Sequence, residues 1–292
     1  MRWARFYFAV QAVGGAAWWL AVFAVPAVRD ATLGSLHPFA VAVFDVPLFV
    51  VASAVAAFGV KPAAFVATGW TTLVAVALAV YATVTTEAGW GVLIMAAAVG
   101  GSLIALSLMV LGRVPTELII AGPFAFKSAR EGSPHVLVTL GQVVVFWGMF
   151  LVVGPLVIVF AESRWGLGVH FDATVVGVVV LVLASALGVW SAITMSSLGK
   201  GTPLPSAMAT RLVIAGPYRF VRNPMAVAGI VQGVAVGLIL SSWLVVVYAV
   251  IGSLLWNYAV RPLEELDLEQ RFGVEYGRYR ESVLCWLPRR LW

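Results

Sequence analysis

Two adjacent carboxylates, Glu264 and Glu265, follow a long apolar run near the end of the chain, and Arg261 precedes them. Adjacent helical residues point about 100° apart, so one carboxylate can face inward while the other faces a neighbouring loop. Arg261 lies three residues before Glu264, a spacing that predicts an ion pair on one helix face. This segment is a candidate site for a charged ligand, although acids at a helix start also complement the helix dipole.

A second candidate segment, residues 216–225, reads GPYRFVRNPM and leads into another apolar run. Pro224 suits the first turn of a helix. Arg219 and Arg222 are three residues apart and could face one side of a short helix, where they would hold an anionic group or snorkel to lipid phosphates. Local sequence alone favours snorkelling.

A third candidate segment, residues 198–203, reads LGKGTP. Its glycines, Gly199 and Gly201, would let the backbone approach a ligand closely and adopt positive φ. A Gly-x-Gly pair is more often a helix C-cap, so this signal is weak alone.

The elements that must position these segments are membrane-spanning helices. Hydrophobic residues make up 62% of the 292 residues and charged ones 11%, against about 25% charged in a soluble domain. Backbone groups in hydrocarbon must be satisfied internally, which favours helices. The sequence predicts an all-α, polytopic bundle of about eight spans with a C-terminal cytoplasmic interfacial helical segment. The predicted spans are 6–28, 38–59, 63–84, 89–111, 137–160, 173–195, 224–240 and 242–260.

The distribution of Lys and Arg predicts the orientation of this bundle. With both termini on one side, 16 of the 18 Lys and Arg residues fall on that side, and Arg29 and Arg164 fall on the other. Cytoplasmic loops carry the excess of positive charge, so both termini and the three candidate segments are predicted to be cytoplasmic.

The remaining composition excludes several classes of site. Cys285 is the only cysteine, and the three histidines are scattered, so no metal site is predicted. The net charge of +5 follows membrane topology and does not indicate a nucleic-acid partner. The oligomeric state is not predicted.

The chain divides best in the loop near residue 112, into a four-span accessory bundle (1–112) and a core of four spans with the candidate loops and the tail (113–292). Asp45, inside the second span, is costly there and so is a functional candidate, or else only holds helices together by hydrogen bonds. Residues 118–126 match 212–220 at six of nine positions, which indicates either a duplication or chance in a biased sequence.

Taken together, the motifs carry a family resemblance. The order Gly-x-Gly-Thr-Pro, GPYRFVRNP, EExxLxxxFGxxYxxY and a closing Leu-Pro-Arg over about residues 190–290 resembles the bacterial branch of the isoprenylcysteine carboxyl methyltransferase-like family, which is similar to phospholipid N-methyltransferases. The resemblance implies a membrane-embedded methyltransferase that uses S-adenosylmethionine and a lipophilic small-molecule or lipid acceptor carrying a carboxylate, thiol or amine.

The resemblance also implies roles for individual residues. The expected cofactor-binding residues are Gly199, Gly201, Tyr218, Arg222, Asn223, Pro224, Glu264 and Glu265, with Arg222 pairing with the cofactor carboxylate. Arg261 and Glu264 are the expected catalytic residues, which orient the acceptor or take its proton. The C-terminal segment, two short helices broken at Gly273, is predicted to close over the cofactor; an inert interfacial tail is the alternative.

Two departures from many relatives limit the analogy. Asn223 replaces a His and Met225 replaces a Tyr. Because Asn does not titrate near neutral pH, Asn223 is not assigned a general-base role.

Two other functions stay open: a non-enzymatic membrane protein or transporter that retains the fold, and a nicotinamide-dependent reductase.

Overall fold

The computed structural model describes residues 1–118, 141, 144–169, 171–199 and 210–288. All regular secondary structure within these ranges is helical. The helices are α1 (Arg2–Ala24), α2 (Pro26–Thr32), α3 (Pro38–Ala57, with a π-helical turn at Val46–Val51), α4 (Lys61–Thr85), α5 (Gly89–Val110), α6 (Val144–Arg164, with a π-helical turn at Gly148–Val153), α7 (Thr174–Leu198), α8 (Pro224–Ile239), α9 (Trp243–Leu255, continued by a π-helical turn at Trp256–Val260) and α10 (Arg261–Ser282). Short 3₁₀ turns lie at Thr116–Leu118 and Gly216–Arg219.

Seven helical runs in the described part of the chain are long and apolar enough to cross a membrane: α1, α3, α4, α5, α6, α7 and the continuous run Trp243–Ser282. The eighth apolar helix, α8, has 16 residues, about 24 Å at 1.5 Å per residue, and is short for a hydrocarbon core of about 30 Å. Large apolar side chains stay exposed on these helices, as with Leu183 at 66%. The predicted all-helical membrane bundle of about eight spans is confirmed.

The run Trp243–Ser282 leaves the membrane part-way along its length. Its 40 residues would extend about 60 Å, twice the hydrocarbon thickness. Residues 243–260 contain no Asp, Glu, Lys or Arg, whereas charged side chains recur from Arg261 onward. The membrane-spanning part therefore ends at Val260, and α10 lies outside the hydrocarbon.

The chain packs as two units. The first comprises Met1–Pro115 and Phe160–Gly168, and the second comprises Thr116–Val159 and Val169–Trp292. The attachment of Phe160–Gly168 to the first unit had no signal in the sequence. Within that unit, Arg164 Nε donates to the carbonyl of Thr83 at 2.8 Å. The accessory role of the N-terminal bundle stays a prediction.

In the second unit, α8 packs against both α7 and α9. Small residues let these backbones approach closely. A Cβ at Gly177 would lie 2.9 Å from the carbonyl oxygen of Ala235, and a Cβ at Gly237 would lie 2.9 Å from the backbone nitrogen of Val246. Ser242 caps α9 by accepting from the Val245 N–H, as suits the predicted hairpin at this point. The packed helices hold the loop before α8 close to the start of α10.

Candidate functional site

The loop before α8 is anchored on α7 through a glycine. Gly216 has φ +55°, in the left-handed region, and a Cβ there would lie 2.8 Å from Thr194 Oγ1. Only glycine therefore allows both the turn and the close approach to α7. The following 3₁₀ turn carries Tyr218, and Pro224 occupies the first turn of α8 as predicted.

Asn223 joins this loop to α10. Its Oδ1 accepts from the backbone N–H of Ala226 at 3.1 Å and so caps the N-terminus of α8. Its Nδ2 donates to Glu264 Oε2 at 3.2 Å. One amide thus uses its acceptor to fix the helix start and its donor to hold a carboxylate, a combination that a titrating group would not keep at every pH.

Arg222 makes the second link to α10. Its Nη1 lies 2.9 Å from Glu265 Oε1, and the two side chains are 13% and 21% exposed. The same Nη1 donates to the hydroxyl of Tyr276 at 3.3 Å. Among the described residues, Arg222 Nε is buried without a hydrogen-bond partner, so this guanidinium has a donor left for a further acceptor.

The predicted ion pair between Arg261 and Glu264 is wrong, because Arg261 pairs with the other carboxylate, Glu265. Arg261 Nε lies 3.8 Å from Glu265 Oε1, one residue further along the helix. Residues at i and i+4 are neighbours on a helix face, as are those at i and i+3, so spacing alone did not choose between the carboxylates. The choice came from another element, because Asn223 holds Glu264.

The end of the chain passes across this loop. The backbone N–H of Arg222 donates to the carbonyl of Leu284 at 3.0 Å, and that of Asn223 donates to the carbonyl of Cys285 at 3.4 Å. Trp286 Nε1 then donates to Asn257 Oδ1 at 2.8 Å, at the π-helical turn that precedes α10. Both arginine and asparagine are therefore held at their backbone as well as at their side chains.

A tyrosine cluster on α10 contacts the loop before α8. Tyr276 and Tyr279 are buried, and the hydroxyl of Tyr279 donates to the carbonyl of Tyr218 at 2.6 Å. The helix that carries them is broken at Gly273, with φ 50° and ψ −124°, which confirms the predicted break in the C-terminal segment. The cluster comprises Tyr276, Tyr279 and Val283, packed against Leu212, Leu268 and Phe272.

The electrostatics of the carboxylates are unequal. Burial, followed by repulsion from Glu265 and Asp267, raises the pKa of Glu264 to about 7, against the opposing effect of Arg222. Burial and the charge of Glu265 raise the pKa of Tyr276 to about 12, again opposed by Arg222. The pKa of Glu264 thus lies near neutral pH, while Glu265 is the partner of two arginines.

The predicted site residues fall into two groups. The structure brings together Arg222, Asn223, Pro224, Arg261, Glu264 and Glu265, with Tyr218 buried beside them. Gly199 ends α7, and its carbonyl accepts from the backbone N–H groups of Thr210 and Arg211 at 2.8 and 3.2 Å. Gly201 lies outside the described residues, as do positions 119–126 of the first copy of the predicted repeat.

Sequence reasoning missed two residues of this site. Tyr276 was not among the predicted site residues, but its hydroxyl accepts from Arg222. Asn257 was not among them either, yet its Oδ1 accepts from the indole N–H of Trp286. For Asn257 the sequence did carry a signal, an uncharged amide one turn before a charged helix. For Tyr276 it carried no signal, because its partner comes from a different element.

The comparisons with known proteins cover this part of the chain. A family model described as "Phospholipid methyltransferase" matches residues 173–275. The matched range runs from the start of α7 into α10 and contains Arg222, Asn223, Glu264 and Glu265. A comparison with curated proteins finds no match.

Proposed function

From the membership of residues 173–275 in the isoprenylcysteine carboxyl methyltransferase and phospholipid methyltransferase superfamily, we propose that this integral membrane protein is an S-adenosylmethionine-dependent methyltransferase with a lipophilic acceptor. The observation that carries the proposal is the double link between the loop and α10. Arg222 pairs with Glu265 at 2.9 Å, and Asn223 donates to Glu264 at 3.2 Å.

The residues at this link fit the polar end of the cofactor. S-adenosylmethionine carries a carboxylate, an ammonium and a sulfonium, so it needs a cationic donor and anionic acceptors within one small site. Arg222 supplies a guanidinium whose buried Nε has no hydrogen-bond partner in the described part of the chain, and the two glutamates supply the acceptors. When bound, the cofactor supplies an electrophilic methyl group whose in-line transfer requires no metal.

We assign the cofactor carboxylate to Arg222. Glu265 keeps the Arg222 guanidinium oriented, and Asn223 fixes the Glu264 side chain. An oxygen, sulfur or nitrogen nucleophile that starts with a proton must lose it. Glu264, with a pKa near neutral, is placed to accept that proton at its carboxylate, and Arg261 is placed to orient an anionic acceptor.

The location of the site matches the needs of both reactants. The paired residues begin where the helical run leaves the hydrocarbon, at Arg261. A water-soluble cofactor would enter from the aqueous side, and an acceptor with an apolar tail would enter laterally from the bilayer. The excess of Lys and Arg predicted on this side supports its assignment to the cytoplasm.

Calorimetric titration of S-adenosylmethionine into the full chain in lipid nanodiscs tests the proposal. We expect saturable binding that Glu265→Gln weakens at least tenfold and that Glu275→Gln leaves unchanged, because Glu275 is an exposed glutamate on the same helix. A folded wild-type protein that does not bind would overturn the proposal. In that case, saturable binding of a nicotinamide dinucleotide in the same titration would indicate the reductase alternative.

A further inference from the structure

The N-terminal unit contains a partly open cavity of about 740 Å³ that the proposed methyl transfer does not use. Its described walls come from α1, α3, α4 and α5 and from residues 32–37. The volume lies within the range of small-molecule sites, about 300–1,000 Å³. Most of the walls are apolar, as with Val74, Leu78 and Ile94, so a ligand would have to be largely hydrocarbon.

One charge faces this apolar space. Among the described residues that line the cavity, Asp45 is the single Asp, Glu, Lys or Arg side chain. It is 5% exposed and lies about 10 Å along α3 from Pro38. Its Oδ2 accepts from Trp19 Nε1 and its Oδ1 from Trp70 Nε1, each at 2.8 Å.

The two hydrogen-bond partners of Asp45 donate to its oxygens but bring no positive charge to balance a carboxylate. Indole N–H groups are neutral donors, so they pair with both oxygens of Asp45 without supplying a positive charge. An ionised side chain inside a membrane is costly, and such side chains mark ligand or ion sites in membrane proteins. A cation placed against Asp45 would remove that cost.

Aromatic side chains line the same cavity as Asp45. Trp18, Phe44, Phe49 and Trp70 line the cavity. Trp18 is held in place by a hydrogen bond from its Nε1 to Thr32 Oγ1 at 3.2 Å. A cation near such rings gains from their negative faces, most of all from tryptophan. Carboxylate and rings therefore favour the same ligand charge.

The other buried polar side chains that line the cavity are already committed, Thr32 by donating its hydroxyl to the carbonyl of Val28 at 2.7 Å. Gln11 donates to Ser53 Oγ at 3.0 Å and accepts from Ser102 Oγ at 2.8 Å, so its amide ties helices together.

The helix that carries Asp45, α3, departs from α geometry directly after this residue, in the π-helical turn Val46–Val51. Pro47 lacks the backbone N–H that a regular helix would use there, and π-helical turns are frequent at functional sites.

We propose that the N-terminal unit binds a lipophilic amine in its cationic form. The ammonium would lie beside the Asp45 carboxylate and the indole rings, and the hydrocarbon chain would fill the apolar remainder of the cavity. The inference is independent of methyl transfer, because it involves none of the residues assigned to the loop or α10.

The test uses decylamine and 1-decanol as probes, titrated separately into the full chain in nanodiscs at pH 7 without S-adenosylmethionine. Aliphatic amines are protonated at this pH, so the two probes differ chiefly in charge. Binding is followed by calorimetry and by tryptophan fluorescence, with empty nanodiscs subtracted. We expect saturable binding of the amine at least tenfold tighter than that of the alcohol.

Two isosteric substitutions make the test specific. Asp45→Asn should abolish the preference for the amine, whereas Asp30→Asn, an exposed aspartate of the same unit, should leave it unchanged. Equal binding of both probes to the wild type, or no binding above empty nanodiscs, would overturn the proposal. If Asp45→Asn does not fold, Trp70→Phe keeps the carboxylate and must keep the preference for the amine. Each outcome is read without the cofactor and so leaves the proposed methyl transfer to its own experiment.

Discussion

The two units of this protein handle buried carboxylates in different ways. In the N-terminal unit, Asp45 sits within a span and is held by the neutral indoles of Trp19 and Trp70. In the C-terminal unit, Glu265 sits just beyond the hydrocarbon and is held by the cationic side chains of Arg222 and Arg261.

The difference follows from the surroundings of each carboxylate. Placing an arginine within a span would cost several kcal/mol of free energy, so neutral donors satisfy an acceptor there at a lower free-energy cost. At the membrane surface both partners can be charged, because part of each side chain keeps contact with water. The first arrangement gives Asp45 no cationic partner among the described residues, and the second gives Glu265 two.

Arg222→Ala should have the largest effect on this comparison. It removes the donor that we assign to the cofactor carboxylate and leaves Glu265 without its closest cation. We expect cofactor affinity to fall by about 100-fold, or about 2.8 kcal/mol, in nanodisc calorimetry. Asp45→Asn is the matched change in the other unit and should leave cofactor affinity unchanged. An equal loss in both variants would contradict the separate roles of the two carboxylates.

Trp70→Phe should destabilise the N-terminal unit by about 1–3 kcal/mol, because it leaves one oxygen of Asp45 without a donor. The loss should shrink when Asp45→Asn is added, because the unpaired acceptor is then no longer charged. Thermal unfolding of the two single variants and the double variant measures this coupling. Strictly additive losses would show that the indole contributes packing alone.

Asn223 provides a smaller effect that separates its two hydrogen bonds. Asn223→Ala removes the cap of α8 and should cost about 1 kcal/mol. Asn223→Asp keeps an acceptor for the Ala226 N–H but replaces the donor to Glu264 with a like charge. We expect Asn223→Asp to retain most of the helix stability while raising the pH at which Glu264 ionises, measured by thermal unfolding across pH. Identical behaviour of the two variants would rule out the link to Glu264.

The pH dependence of stability should show the smallest effect. A pKa of about 7 for Glu264 lies above that of an unfolded glutamate, so between about pH 4.5 and 7 the folded protein binds more protons. Stability should therefore fall as pH rises through this window, and Glu264→Gln should reduce that fall. Unfolding midpoints between pH 5 and 8, with Glu275→Gln as the control, would detect the difference. Parallel profiles would contradict the raised pKa.

Prediction from the sequence succeeded where one residue type carries the signal by itself. Long uncharged runs predicted the spans, Pro224 predicted the first turn of α8, and Gly273 predicted the break in α10. It was less successful where two elements meet. The partner of Arg261 was assigned to Glu264 because spacing along one helix does not include the neighbouring loop.

The sequence by itself determined that this chain is a helical membrane protein, since burying that much apolar surface requires lipid, and the order of its motifs indicated the superfamily. Tertiary structure decided which donor meets which acceptor. Arg222 reaches Glu265 across 43 positions of sequence and Trp70 reaches Asp45 across 25. Such pairs depend on the packing of separate helices, whose side-chain directions no local pattern specifies.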